Sequence, residues 1–344
     1  MDLTTPCEQE LTQWIGEHPQ DLPSSMIKHI GDDCAVFDSR SLSKLAVTAD
    51  MLLEDVHFRR RWISPYFLGR KSLLVNLSDL AAVGAQPYAC LLALALPGDL
   101  TESYFNSFMK GFLEEGARWG APLIGGDLSQ SASIFVSVTA WGSFQTGRPL
   151  WRSDAQDGDI LVLIGEVGLS RLGLEILRRE DFSELWKIDS EDSLAHWAGD
   201  DFRNRCLIAH LLPQSLVHVG TWLCENRVVN AMIDVSDGLG SDLLQIARQS
   251  QLAAEIEVDQ LPLPDRKIGE IDPLEAALNG GEDYALLFAT SEKQLDRLNS
   301  EYRTDFPPYR VIGRLYSGEP GLFLKRGEKR ERYEPRGFDH FSSC

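Results

Sequence analysis

Positive charge is scarce in this chain of 344 residues: 33 lysines and arginines face 52 aspartates and glutamates, for a formal net charge of -19. Such a surface repels phosphodiester backbones and anionic membranes, which makes nucleic acid and lipid poor partners. A phosphorylated ligand would have to be met through metal cations, or through local basic and backbone N–H groups. Long apolar runs are missing too. The longest, from Tyr88 to Pro97, is much too short to span a bilayer. The opening "MDLTTPCEQE" has neither the basic start nor the apolar core of a signal peptide. Cys7, Cys34, Cys90, Cys206, Cys224 and Cys344 form no C-x-x-C pair and no metal-finger spacing, which fits reduced thiols and a cytoplasmic location. Two nucleotide signatures are also absent, the G-x-x-x-x-G-K-[ST] phosphate loop and the strand-linked G-x-G-x-x-G fingerprint.

What is present is enough apolar residue for two globular domains, at 43% of a chain too long for one comfortable core. Strand and helix patterns alternate through residues 44–144. "KLAVTAD" reads as a strand, Ser64-Pro65 opens a helix that Gly84 and Pro87 close, and Thr101 caps the next helix. "YACLLALAL", "PLIGG" and "SIFVSVTAWGSF" complete the strands of this half. The loop "TGRPLWRSDAQDGD" marks the boundary, placed between residues 149 and 150. Beyond it come the strands "DILVLIG", "AMID", "AAEIEV", "YALLFA" and "YRVIGRL", with helices around 168–179 and 200–226 and another after Asp237. The expected fold class is α+β, two α/β sandwiches whose strand order the pattern does not give.

Acid beside glycine or at a strand end recurs: "GDD" at 31–33, "TAD" at 48–50, "GGD" at 125–127, "DVSDG" at 234–238 and "GGED" at 280–283. Each alone reads as a turn or a helix cap. Together they supply more carboxylates than capping needs, with glycines that let backbone approach a ligand closely. On the helix "KSLLVNLSDLAAVG", Ser72, Asn76 and Asp79 fall at i, i+4 and i+7, a short polar stripe that suits a face turned to a polar cavity. Crowded carboxylates repel unless cations hold them apart. Mg²⁺ suits such a set, since it takes a few carboxylate oxygens and completes its shell with water and phosphate. His57 reads equally as a ligand contact or a surface histidine, and Arg59-Arg60-Arg61 as a solvated face.

Taken in order, "GDDCAVF", "TADMLLEDVHF", "KSLLVNLSDLAAVGAQP", "LIGGDLSQS", "DVSDGLGSDL", "GGEDYALLF" and "RGFDHF" make a chain that resembles the thiamine-monophosphate kinases of the aminoimidazole-ribonucleotide-synthetase-like superfamily. That resemblance implies an N-terminal mixed sheet with helices, residues 1–149, serving dimerisation and metal and phosphate binding. It implies a C-terminal α/β domain, 150–344, completing the ATP and substrate site. The implied reaction is ATP-dependent phosphorylation of thiamine monophosphate by direct in-line transfer assisted by several Mg²⁺ ions, in a homodimer whose N-terminal domains pair. Asp33, Thr48, Asp50, Asp79, Asp127, Asp234 and Asp237 match the family's metal positions. Gly126, Asp127, Arg152 and Ser236 match ATP contacts, and His57, Glu282 and Phe338 match substrate contacts. No general base is implied; Asp50, Asp79 and Asp127 would act through metal, and Asp242 is expected to be structural. The chain departs from the family pattern at Ala49, where S-T-D is usual, and at Leu128, after GGD. Two alternatives remain: a non-catalytic binder of thiamine phosphates or ATP, and a hydrogenase-maturation-type dehydratase, which ends in cysteine as this chain ends in Cys344.

Overall fold

The computed structural model describes residues 21–22, 26–28, 36–37, 44–144, 148–180, 185–195 and 201–337. They form two compact units, one drawn from Met1–Leu80, Gln86–Gln145 and Asp181–Trp197, the other from Ala81–Ala85, Thr146–Glu180 and Ala198–Cys344. Both are mixed sheets with helices, the α+β class that the alternating pattern predicts.

In the first unit, β1 (Met26–Lys28) pairs antiparallel with β2 (Val36–Phe37). The main sheet comprises β3 (Leu45–Leu53), β4 (Gln86–Leu96), β5 (Leu123–Gln130) and β6 (Phe135–Ser143) in the order β3-β6-β4-β5. Only β4 and β5 run parallel. Pro87 is tolerated because the β4 ladder shifts register between it and Ala89, so no paired N–H is lost. Val136, Val138 and Ala140 of β6 are buried while their neighbours are half-exposed, which gives the sheet one covered and one open face.

Two helices, α1 (Pro65–Val83), whose residues up to Leu80 belong to this unit, and α2 (Glu102–Trp119), accompany the sheet, and α1 is buried almost all round. They approach each other through paired glycines. A Cβ on Gly69 would lie 2.0 Å from the Phe108 carbonyl oxygen, and one on Gly111 would lie 2.0 Å from that of Tyr66. Thr101 caps α2 by accepting from the Tyr104 N–H at 3.2 Å, and Gly120 ends it in the left-handed region at φ 71°.

The second unit is built on seven strands: β7 (Ile160–Ile164), β8 (Ala231–Val235), β9 (Ala253–Glu257), β10 (Ala285–Thr290), β11 (Tyr309–Tyr316), β12 (Gly321–Arg326) and β13 (Lys329–Tyr333). Their order is β13-β12-β9-β11-β7-β10-β8, antiparallel except where β12 meets β9. The strands β7, β8 and β10 are buried at every position, as expected of strands covered on both faces. The helices in chain order are α3 (Leu169–Arg179), α4 (Glu191–Ala195), α5 (Asp201–Leu211), α6 (Val217–Asn226), α7 (Leu239–Gln249), α8 (Pro273–Asn279) and α9 (Glu292–Glu301). Of these α4 belongs to the first unit, and Leu239, Leu243 and Ile246 of α7 enter the core with Ile233, Leu287 and Leu322. Among the described residues no helix is long and apolar enough to cross a membrane.

Candidate functional site

In the first unit, alternation along β3 puts Thr48 and Asp50 on the covered face, where α1 meets them. The Thr48 hydroxyl donates to Asp79 Oδ2, and the Asp50 N–H donates to Asn76 Oδ1 at 3.1 Å. Asn76 is fully buried, so two of the three polar positions on α1 face this strand. The third does not: Ser72 donates back to the Leu68 carbonyl at 2.7 Å, within its own helix. Ala49 points the other way, so its missing hydroxyl leaves the Thr48–Asp79 contact intact. Leu128 lies in register with Leu94, Val136 and Leu52, an apolar row that explains leucine after the GGD acid.

Asp127 is set apart. It shares a row with Ala93, Ser137 and Met51 on the open face, at the β5 edge rather than the β3 edge. Three strand spacings put it roughly 14 Å from β3. Gly126 is required by the close approach of β4, since a Cβ there would meet the Leu92 carbonyl oxygen at 1.8 Å. His57 lies in the turn after β3, with its Nδ1 accepting from the Leu53 N–H at 3.0 Å. This bond makes Nε2 the protonated nitrogen and leaves the ring a donor there. Nearby, Arg60 pairs with Glu54, while Arg59 and Arg61, both solvated as expected, lie 4.5 and 5.5 Å over the Trp62 ring.

In the second unit, Asp234 is buried at the end of β8, and the chain then turns through Ser236, Asp237 and Gly238 into α7. Asp242 holds that turn by accepting from the Ser236 and Asp237 N–H groups, each at 3.0 Å. This is the structural role expected of it. Burial, together with the neighbouring Asp234 charge, pushes Asp242 up to about 8, although the two N–H donors pull it down. The second acid turn packs on the first. The Glu282 N–H donates to the Ser236 carbonyl at 2.8 Å, and Glu282 itself is left-handed at φ 64°. A Cβ on Gly281 would lie 2.6 Å from the Ser236 oxygen, so glycine is needed there.

Asp283, the last acid of the GGED motif, and His210, which the sequence pattern did not single out, complete this neighbourhood. Asp283 accepts from the Gly168 and Ser170 N–H groups at 2.6 and 3.1 Å, capping α3 from a distance, and His210 of α5 reaches Glu282 at 3.2 Å. Arg152 donates to Gln245 on α7 at 2.6 Å. Gly337 packs on the first turn, where a Cβ would meet Ser241 Oγ at 2.1 Å and the Asp237 carbonyl oxygen at 2.8 Å. Phe338, Asp33 and Cys344 lie outside the described residues.

Among the described residues no three His, Cys, Asp or Glu side chains gather closely enough to hold a metal by themselves. What is present, a hydroxyl-paired Asp79 and Asp50 in the first unit and Asp234 and Asp237 in the second, supplies hard oxygen donors in small numbers. That set fits Mg²⁺, which takes one or two carboxylates and completes its shell with water and substrate phosphate, better than it fits an ion needing an all-protein cage.

Comparison with known proteins gives these sites a setting. Residues 31–144 match the AIR synthase related protein N-terminal domain, and residues 156–324 the corresponding C-terminal domain. A thiamine-monophosphate kinase of Buchnera aphidicola is 33% identical over 339 residues, covering 97% of this chain and 98% of the relative. Among solved structures, a thiamine-monophosphate kinase from Stenotrophomonas maltophilia superposes with a TM-score of 0.77 at 32% identity, covering 92% of this chain and 94% of its own. The AaThiL complex with AMPPCP and TMP does so at 0.71 and 32%, covering 91% and 92%. With relatives this similar along nearly the whole length, the chain belongs to the thiamine-monophosphate kinase family.

Proposed function

We propose that this protein transfers the terminal phosphoryl group of ATP to thiamine monophosphate, giving thiamine diphosphate and ADP. The observation that carries the reading is the direct bond between the two acid turns of the second unit, Glu282 N–H to the Ser236 carbonyl. It joins the turn that carries Glu282, the proposed substrate contact, to the turn that carries Ser236 and Asp237, the proposed phosphate and metal contacts. The acceptor is a phosphate monoester with a second pKa near 6, already anionic at neutral pH, so the protein needs no general base. Its work is to position two phosphates in line and offset their charge.

Each group has a part in that work. The hydroxyl of Thr48 orients Asp79, and Asn76 fixes the backbone at Asp50. In the second unit Asp242 holds the Ser236–Asp237 turn in shape, and in the first unit His57, anchored by the Leu53 N–H, is the proposed substrate contact. Thr48, Asp50, Asp79, Asp127, Asp234 and Asp237, with Asp33, are the proposed metal ligands. Mg²⁺ bound there would neutralise charge on the transferring phosphoryl group and its bridging oxygens. The family relationship favours this reaction over the dehydratase, and keeping every carboxylate favours turnover over simple binding.

The protein is also proposed to act as a homodimer through the open face of its four-stranded sheet. Val47 and Met51 on edge strand β3 are 60% and 52% exposed, with Leu45 beside them, an apolar stripe that a second copy would cover. Asp127 shares that face.

Asp79→Asn tests the metal assignment. It keeps a side-chain oxygen for Thr48 but removes the charge. Turnover should fall about 1,000-fold, as expected for losing charge stabilisation worth several kcal/mol, with an unchanged melting temperature. Activity within a few-fold of wild type would refute the assignment.

A further inference from the structure

His210 is buried in α5, where the ordinary expectation is a histidine satisfied by backbone carbonyls. Its partners here are different. His210 Nδ1 lies 3.2 Å from Glu282 Oε2 and 3.1 Å from Ser170 Oγ. Ser170 and Glu282 are tied together a second way, since Asp283 accepts the N–H groups of Gly168 and Ser170. The result is a closed ring: the Glu282 carboxylate, the imidazole, the Ser170 side chain, the first turn of α3, the Asp283 carboxyl group, and back to the neighbouring Glu282. Close helix packing makes the ring possible, because a Cβ on Gly173 of α3 would lie 2.1 Å from the Cys206 carbonyl oxygen and 3.0 Å from His210 Cβ.

One proton position decides how the ring works. An ionised Glu282 can only accept, so the nitrogen facing it must carry hydrogen, and the Ser170 oxygen shares that donor. Glu282 is partly exposed, 25% at its side chain, and its backbone is held in the left-handed region. A long carboxylate in that setting would sample several rotamers unless something inside the fold gripped one oxygen.

We infer that His210 is a positioning residue: its Nδ1–H, steadied by Ser170, holds the Glu282 carboxylate in one orientation for the acceptor substrate. The inference rests on the proposed kinase reading, in which Glu282 is a substrate contact.

Steady-state kinetics with ATP, Mg²⁺ and thiamine monophosphate test it on His210→Leu, His210→Gln, His210→Asn, Glu282→Gln and the His210→Leu/Glu282→Gln double variant. Asparagine places an N–H where Nδ1 stands, whereas glutamine places it near Nε2, so the pair separates positioning from packing even if the leucine variant fails to fold. Losing one charge-assisted hydrogen bond should raise the KM for thiamine monophosphate about tenfold in the leucine, glutamine and Glu282→Gln variants. The KM for ATP should hold, asparagine should restore the wild-type value, and the double variant should be no worse than Glu282→Gln alone. Effects that multiply in the double variant, or that raise both KM values alike, would overturn the proposal. So would a normal KM in both His210→Leu and His210→Gln while Glu282→Gln is impaired. A normal KM in Glu282→Gln would instead remove the underlying role of Glu282, and the proposal with it.

Discussion

Asp283 keeps part of its surface while its carboxyl is enclosed, and burial pushes its pKa up to about 8 against the pull of the Gly168 and Ser170 N–H groups. In the unfolded chain the same group titrates near 4. The fold therefore favours the protonated form. Its stabilising contribution is complete below about pH 4 and is lost as pH rises to about 8. In urea unfolding of the metal-free protein, wild type should lose stability relative to Asp283→Asn between pH 5 and pH 8; a constant difference would contradict the assignment. Comparisons of this kind isolate Asp283, because Asp242 has the same tilt and is present in both proteins. At this scale, what the sequence revealed was local. Acid–glycine turns stand out because glycine and surplus carboxylates break the apolar pattern, and Asp242 could be separated from the site by its place inside the helix. The roles of His210 and Ser170 were not legible. They meet across 40 residues, and a helical histidine on a buried face carries no local signal.

Elements were most readable where periodicity and capping agreed. Thr101 and Gly120 bracket α2 as their chemistry dictates, and β3, β7, β8 and β10 are strands where continuous or alternating apolar residues demand them. The β12–β13 hairpin escaped because Lys329-Arg-Glu-Arg-Tyr333 is a sheet edge made of charge, with no apolar alternation to show its pairing with β12. The α9 helix escaped for a related reason. Its capping box, Ser291 with Gln294, was there to be read, but Leu298 is its only buried residue and provides no stripe. The polar stripe on α1 was two-thirds right: Asn76 and Asp79 face β3, while Ser72 satisfies its own helix.

For the whole molecule, strand order lay beyond the sequence, since apart from the β12–β13 hairpin the pairings in both sheets join strands well separated in the chain. The excursion of Asp181–Trp197 into the first unit was equally hidden, as nothing in its composition distinguishes it from a surface segment of the second. The proposed homodimer belongs at this scale. Val47→Glu with Met51→Glu should convert a dimer to a monomer in light scattering after gel filtration, because burying two like charges in an apolar interface costs several kcal/mol. The single-copy fold should survive, as both side chains are exposed within one chain. A wild-type monomer, or a dimer indifferent to both charges, would place the interface elsewhere or remove it.

The central claim is tested most directly by turnover itself. With ATP, Mg²⁺ and thiamine monophosphate, thiamine diphosphate and ADP should form in equal amounts, and chelating the metal should stop both. Ligand binding without diphosphate formation, or ADP released without a phosphorylated acceptor, would contradict the account.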